Sequence, residues 1–79
     1  LSETTPKSIV KEALALVKIP KKVQVLDLTR DKPKIKVDVE KMKRVLVNII
    51  KNAVEAMPKG GKLTIRSRTR GDRVEITFT

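Results

Sequence analysis

The longest regular pattern in the sequence is an apolar stripe at helical spacing that runs through residues 38–57. Asp38 is a good N-cap because its side chain can accept a hydrogen bond from the first turn, and Glu40 faces the positive end of the helix dipole. The stripe comprises Val39, Leu46, Ile50, Ala53 and Met57, flanked by Met42 and Ile49. This spacing predicts a long amphipathic helix over 38–57 whose stripe lies in the core.

A second, shorter helix is predicted over residues 6–18. Thr5 suits an N-cap, and Pro6 suits the first helical position because its missing N–H is not needed there. Apolar residues then recur at helical spacing up to Val17, and Pro20 prevents further extension.

The remaining apolar segments alternate as strands do. We expect strands at 23–29, 34–37, 62–70 and 73–79. The alternation slips between Val25 and Leu26, which indicates a bulge or a half-buried edge. Gly71-Asp72 suits a two-residue hairpin turn with glycine first. The element order predicts an α/β (α+β) two-layer sandwich, with both helices on one face of a mixed, mostly antiparallel sheet.

Size and composition limit the class of protein. A chain of 79 residues forms one small domain with a marginal core. It has no cysteine and no histidine, which excludes disulfides, cysteine-ligated metals and the commonest catalytic base. No apolar run approaches the ~20 residues of a membrane helix, and the first twenty residues lack a signal-peptide core. We therefore expect a cytoplasmic segment without membrane contact, although a parent protein with a membrane anchor is compatible with it.

The charge balance is strongly basic. A formal net charge of +10 attracts polyanions and invites a nucleic-acid interpretation. The single aromatic residue, Phe78, argues against a base-stacking surface, so nucleic acid is not the expected partner. Charged residues make up 35% of the chain, a balance typical of thermophile-like solvated surfaces.

Two asparagines on the long predicted helix are the candidate chemical groups. Asn48 and Asn52 are the only asparagines of the chain and lie four apart, so they share one helix face with Lys51. Asparagine is a mediocre helix former, and a polar solvated face is the plain explanation. The chemical alternative is that neutral amide oxygens bind Mg²⁺ without cancelling its charge, which leaves the ion able to neutralise nucleotide phosphates.

The continuous run from Asn48 to Ile65, NIIKNAVEAMPKGGKLTI, resembles the N box of two-component sensor histidine kinases, especially the nitrogen-regulation type with its NAxEAMPxGG pattern. The similarity extends from about Val37 to Phe78. It implies that residues 1–79 are the N-terminal part of an ATP-binding catalytic domain of the histidine-kinase ATPase type, in the superfamily of gyrase, MutL and the large heat-shock chaperones.

The resemblance implies a role for each matching residue. Asn52 matches the Mg²⁺-ligating asparagine. Asn48 matches the position where hydrolysing relatives carry a water-activating glutamate, and an amide cannot act as that base, so it suits transfer to a protein side chain. Lys51 could reach a phosphate, and Ala53 matches a small residue near the adenine. The implied cofactors are ATP and Mg²⁺, and the implied partners are the histidine-bearing dimerisation domain and a response regulator.

Two departures and one missing segment qualify the resemblance. Many members carry a basic residue at Glu55 and an aromatic at Ala56, although the nitrogen-regulation subgroup does not. In the family, the strand over 74–79 leads into an Asp-x-Gly-x-Gly box that contacts adenine, and a later strand pairs in the same sheet. The expectation is therefore that the 79 residues alone bind ATP very weakly and associate with a second copy.

Two other function classes remain open at this point. A nucleic-acid module is suggested by four arginines around the hairpin, Arg66, Arg68, Arg70 and Arg73. A degenerate ATPase-fold scaffold without catalysis is the other alternative, although the presence of both asparagines argues against it.

Overall fold

The computed structural model describes residues 1–79 and contains two helices and five strands. The elements in chain order are β1 (Ser2–Thr4), α1 (Pro6–Ala15), β2 (Val23–Leu28), β3 (Ile35–Val37), α2 (Val39–Glu55), β4 (Gly61–Arg70) and β5 (Arg73–Phe78). Neither helix is both long and apolar enough to span a membrane.

Both helices begin at the predicted caps. The Thr5 side chain accepts from the Ser8 N–H at 3.1 Å, and the Asp38 side chain accepts from the Lys41 N–H at 3.2 Å. Both helices are shorter than predicted. Instead of reaching residue 18, α1 ends at Ala15, because the N–H groups of Leu16 and Val17 bond three residues back and tighten the last turn.

The second helix, α2, ends at Glu55 rather than at residue 57. The Met57 N–H bonds to the Val54 carbonyl three residues back, and a tight turn follows. That turn needs glycine: Gly60 has φ 93°, and a Cβ there would lie 2.6 Å from the Lys22 carbonyl oxygen. The Gly61 N–H also donates to this carbonyl, at 3.1 Å, so the turn is bound to the start of β2.

The main sheet has three strands in the order β2-β4-β5. β2 and β4 pair in parallel, and β4 and β5 are antiparallel. The predicted hairpin turn is confirmed, with Gly71 at φ 61° between the paired Arg70 and Arg73. β2 pairs residue for residue with β4, so the slip at Val25 and Leu26 reflects an edge strand and not a bulge.

The predicted single four-stranded sheet is wrong in one respect. Ile35–Val37 does not join the main sheet but pairs antiparallel with β1, an N-terminal strand that the sequence pattern did not indicate. Strand pairing is non-local, so the apolar pattern of a three-residue strand carries no information about its partner. The strand bounds otherwise differ from prediction by one residue at an end.

The core lies between the two helices and one face of β4. Its buried members are Ile9, Val10, Ala13, Leu46, Ile50, Leu63 and Ile65. Burial of Leu46 and Ile50 confirms the centre of the predicted stripe, whereas Ala53 and Met57 are only half-buried. The two-layer α+β prediction is therefore supported, with helices covering one face of the main sheet.

Candidate functional site

One side of α2 presents an exposed row of polar residues at helical spacing, which we call the α2 polar face. Its members are Lys41, Arg44, Asn48, Lys51, Asn52 and Glu55. All six are exposed, as their spacing predicts. Three cations against one carboxylate make this surface favourable for a phosphate group.

The opposite side of α2 fixes the orientation of the polar face. Leu46 is 3% exposed and Ile50 is 0% exposed, and both pack between α1 and β4. Lys43 lies 3.6 Å from Glu12 of α1 and 3.3 Å from Glu40 of α2. Contact with Glu40 raises the pKa of Lys43, so this lysine stays charged at neutral pH. Core packing and the ion pairs of Lys43 therefore orient the helix. No contact from the α2 polar face is needed for this orientation.

The side chains of Asn48 and Asn52 have no hydrogen-bond partner within the chain. Neither side chain takes part in any hydrogen bond to another residue, although both belong to a well-formed helix. Their spacing places them one turn apart on the same face, about 5–6 Å between Cβ atoms. The side-chain carbonyl oxygens of both residues are available to solvent or to a ligand on the helix surface.

Lys51 and Ala53 occupy different surroundings. Lys51 is exposed and forms no salt bridge, so its ammonium group is available to an anion beside the two asparagines. Ala53 is half-buried and packs against the core cluster. The structure therefore brings Asn48, Lys51 and Asn52 together on one surface, whereas Ala53 packs on the core side of the helix.

No cluster of three or more His, Cys, Asp or Glu side chains is arranged to hold a metal ion. A cation at the α2 polar face would have amide oxygens as its protein ligands and would need further oxygens from a bound ligand. Mg²⁺ commonly binds in this way, through one or two protein groups together with nucleotide phosphates. The donor set on α2 therefore fits Mg²⁺ that arrives with a nucleotide.

An apolar groove that sequence reasoning missed borders the same helix. It has a volume of about 520 Å³ and is lined by ten apolar residues together with Lys36 and Asp72. Met42 and Ile49, which flank the core stripe, lie on the α2 side of this groove with 36% and 38% exposure. The helical period correctly places both residues beside the core stripe, but no other element packs over that part of α2.

The arginines around the hairpin are partly engaged within the chain. Arg68 Nε donates to Glu75 Oε1 at 2.9 Å, and Arg70 lies 3.7 Å from the other oxygen of the same carboxylate. Glu75 therefore interrupts the basic surface at its centre. This arrangement argues against a nucleic-acid-binding surface at the hairpin, because the phosphate backbone of a bound nucleic acid would meet the Glu75 carboxylate there.

Comparison with known proteins finds similarity to histidine kinases. The chain is 37% identical over 59 residues to the sensory histidine kinase/phosphatase NtrB of Salmonella typhimurium, a match that covers 72% of this chain and 17% of the relative. It is 58% identical over 40 residues to sporulation kinase C of Bacillus subtilis, covering 51% of this chain and 9% of that protein. It is also 33% identical over 51 residues to the non-motile and phage-resistance protein of Caulobacter vibrioides, covering 60% of this chain and 6% of that protein.

These matches are short relative to the whole proteins, since the chain spans about a sixth of the length of NtrB. No protein-family model matches the chain, and no solved structure matches it. The chain is thus similar over a continuous stretch to named histidine kinases, and this similarity supports a kinase-related origin for the segment.

Proposed function

We propose that this chain is the N-box part of the ATP-binding catalytic domain of a sensor histidine kinase. In the complete protein, this domain would bind Mg·ATP and transfer the γ-phosphoryl group to a histidine of the dimerisation domain, for relay to a response regulator. The observation that carries the proposal is the pair of uncommitted, exposed asparagines one turn apart on α2, in a chain that is similar to NtrB and sporulation kinase C.

The proposed roles follow from the chemistry of each group. Asn52 supplies an amide oxygen to Mg²⁺, and Lys51 stabilises phosphate charge from the next position of the helix. Asn48 holds the phosphate end of the nucleotide without acting as a base, because a neutral amide does not take up a proton near pH 7. Ala53 gives the bound base a small, apolar neighbour. Mg²⁺ itself supplies charge neutralisation at the transferring phosphoryl group when it is bound.

The 79-residue chain is expected to bind Mg·ATP only weakly, with a dissociation constant on the order of 1 mM or above. The α2 polar face is exposed to solvent, so a contact made there gains little against the reluctance of Mg²⁺ to lose its waters. Isothermal titration calorimetry of the chain, and of the complete kinase as the matched comparison, measures this difference.

Micromolar affinity in the complete kinase and very weak affinity in the chain are the expected results. Micromolar affinity in the chain alone would show that its site is more complete than an exposed helix face. Absence of Mg·ATP binding in the complete kinase would overturn the proposed function and would favour a degenerate scaffold.

A further inference from the structure

The main sheet has one face that the helices do not cover. Leu63 and Ile65 of β4 are buried beneath the helices, so the residues that alternate with them point to the opposite side. The charged residues in this alternate set, which runs from Lys62 to Arg70, are all exposed. The sheet register places the outward residues of β2 and β5 beside them, and we call this surface the outer sheet face. A further strand that pairs at an edge of the sheet would widen the outer sheet face without covering it.

The outer sheet face is basic, and part of its charge is free. Glu75 is its only carboxylate among the strand residues, and it forms ion pairs with Arg68 and Arg70. Lys62 and Arg66 take part in no salt bridge and in no side-chain hydrogen bond. These two cations are therefore available to anionic groups of a ligand.

Two leucines of β2 lie beside the free cations. The parallel register pairs Leu28 with Arg66 and Leu26 with Thr64, so the leucines point outward with them. Leu28 is 42% exposed, and Leu26 is half-buried. Neighbouring strands are about 4.8 Å apart, so a row of apolar side chains runs directly alongside a row of cations. This combination favours a ligand that carries apolar and anionic groups side by side.

The spacing of these groups suits an α-helix that lies along the strands. Lys62 and Arg66 are four residues apart, which is about 13 Å in a strand. Two glutamates seven residues apart on one side of a helix are separated by about 10.5 Å, and the long side chains span the difference. A helix is about 10–12 Å across, so it covers β2 and β4 together. Its apolar side then lies on the leucines and its glutamates lie over β4.

Glu75 distinguishes such a helix from an extended anionic surface. A lipid bilayer or a nucleic-acid duplex would contact the whole outer sheet face and would bring its phosphates against this carboxylate. A single helix over β2 and β4 does not extend over β5, so Glu75 keeps its ion pairs with Arg68 and Arg70. The charge pattern therefore favours a ligand with a few discrete carboxylates.

We propose that the outer sheet face binds an acidic amphipathic helix of a partner protein. Leu26 and Leu28 pack against the apolar side of this helix, and Lys62 and Arg66 pair with its carboxylates. The ion pairs stay close to solvent, so the affinity is modest, with a dissociation constant on the order of 0.1 mM. The α2 polar face lies on the other side of the core, so this binding and nucleotide binding do not compete.

The test is a nuclear magnetic resonance titration of the 79-residue chain with a synthetic peptide. The peptide has about 18 residues so that it forms a helix, with leucines three and four apart and glutamates seven apart beside them. A matched peptide carries glutamine in place of glutamate. At about 0.15 M salt, we expect the glutamine peptide to bind tenfold or more weakly than the acidic one. Amide signals of Leu26, Leu28 and Arg66 should shift most.

Three variants separate this surface from general attraction to a basic chain. Arg66→Glu should raise the dissociation constant by about tenfold or more, because it sets a carboxylate against carboxylates. Arg44→Glu is the matched control, since it changes the net charge equally but lies on the α2 polar face, and it should have little effect. Leu28→Lys adds a positive charge yet should weaken binding by about threefold or more, because it removes apolar contact. The spectra also report whether each variant is folded.

Several results would overturn the proposal. They are no binding of the acidic peptide, equal weakening by Arg44→Glu and Arg66→Glu, tighter binding by Leu28→Lys, or shifts centred on Met42 and Ile49 in the apolar groove. Vesicles of phosphatidylcholine and phosphatidylglycerol, and a random DNA duplex, are titrated in parallel. If either binds more tightly than the peptide and loses binding in Arg66→Glu, the face belongs to a membrane or a nucleic acid instead. All these measurements are made without nucleotide, so they are independent of the proposed kinase function.

Discussion

Replacing Asn52 by alanine in the complete kinase is expected to reduce autophosphorylation by about a hundredfold or more, which corresponds to about 2.7 kcal/mol of transition-state stabilisation. The side chain is exposed and bonds to no other residue, so its removal costs the fold little. Its proposed role is as a ligand of Mg²⁺, whose charge stabilises the phosphoryl group during transfer. Asn52→Asp should also lose most activity, because a carboxylate partly cancels the charge of the ion.

The matched variants separate this role from a general effect on the helix. Asn48→Ala should reduce autophosphorylation less, and Asn48→Asp or Asn48→Glu should raise unproductive ATP hydrolysis, since a carboxylate can accept a proton from water. Lys11→Ala, exposed on α1, should have no effect. The measurement is transfer of labelled phosphate from ATP, with circular dichroism as the check on folding. Full activity in Asn52→Ala would contradict the assignment.

Replacing Ile50 by alanine is expected to leave the chain largely unfolded at 25 °C. Ile50 is 0% exposed and packs from α2 into the core that α1 and β4 complete. Truncation of a buried isoleucine to alanine lowers the free energy of unfolding by about 2–5 kcal/mol. A core of this size rarely supplies more than about 3–5 kcal/mol. Urea denaturation measures the decrease in the free energy of unfolding. A low protein concentration is used because self-association would add to the apparent stability.

The neighbouring residue is the control for this prediction. Ile49 is the same residue type in the same helix but is 38% exposed at the groove. Ile49→Ala should cost about 1 kcal/mol or less. Equal destabilisation by the two substitutions would show that the groove side of α2 is as well packed as the core side, which would contradict the burial pattern.

Local signals predicted the helices well because their causes are local. Asp38 and Thr5 cap the helices through bonds three residues away, and a period of 3.6 residues gives the direction of Leu46 and Ile50. The pairing of Ile35–Val37 with β1 could not be predicted, because it depends on which segments meet in space. Ala53 and Met57 are only half-buried for a similar reason, since periodicity gives the direction of a side chain but not how far the covering layer extends.

The candidate site was predictable in position but not in chemistry. Helical spacing places Asn48, Lys51 and Asn52 on one exposed face, and the structure has them there. Nothing in spacing distinguishes a metal-binding amide from a solvated one. That distinction came from the resemblance to the N box, and the absence of any hydrogen bond from either asparagine is compatible with it.

The most direct test of the proposed metal site uses Mn²⁺ as a paramagnetic substitute for Mg²⁺. The chain contains three side-chain amides, those of Asn48, Asn52 and Gln24, and Gln24 lies on β2 away from the α2 polar face. Nuclear magnetic resonance spectra recorded with Mn·ATP in excess ATP, against a Mg·ATP reference, detect even weak contact. We expect strong broadening of the Asn52 side-chain signals, weaker broadening of Asn48 and none at Gln24. Equal broadening of all three, or broadening confined to residues around Glu12 and Glu40, would contradict a metal site at Asn52.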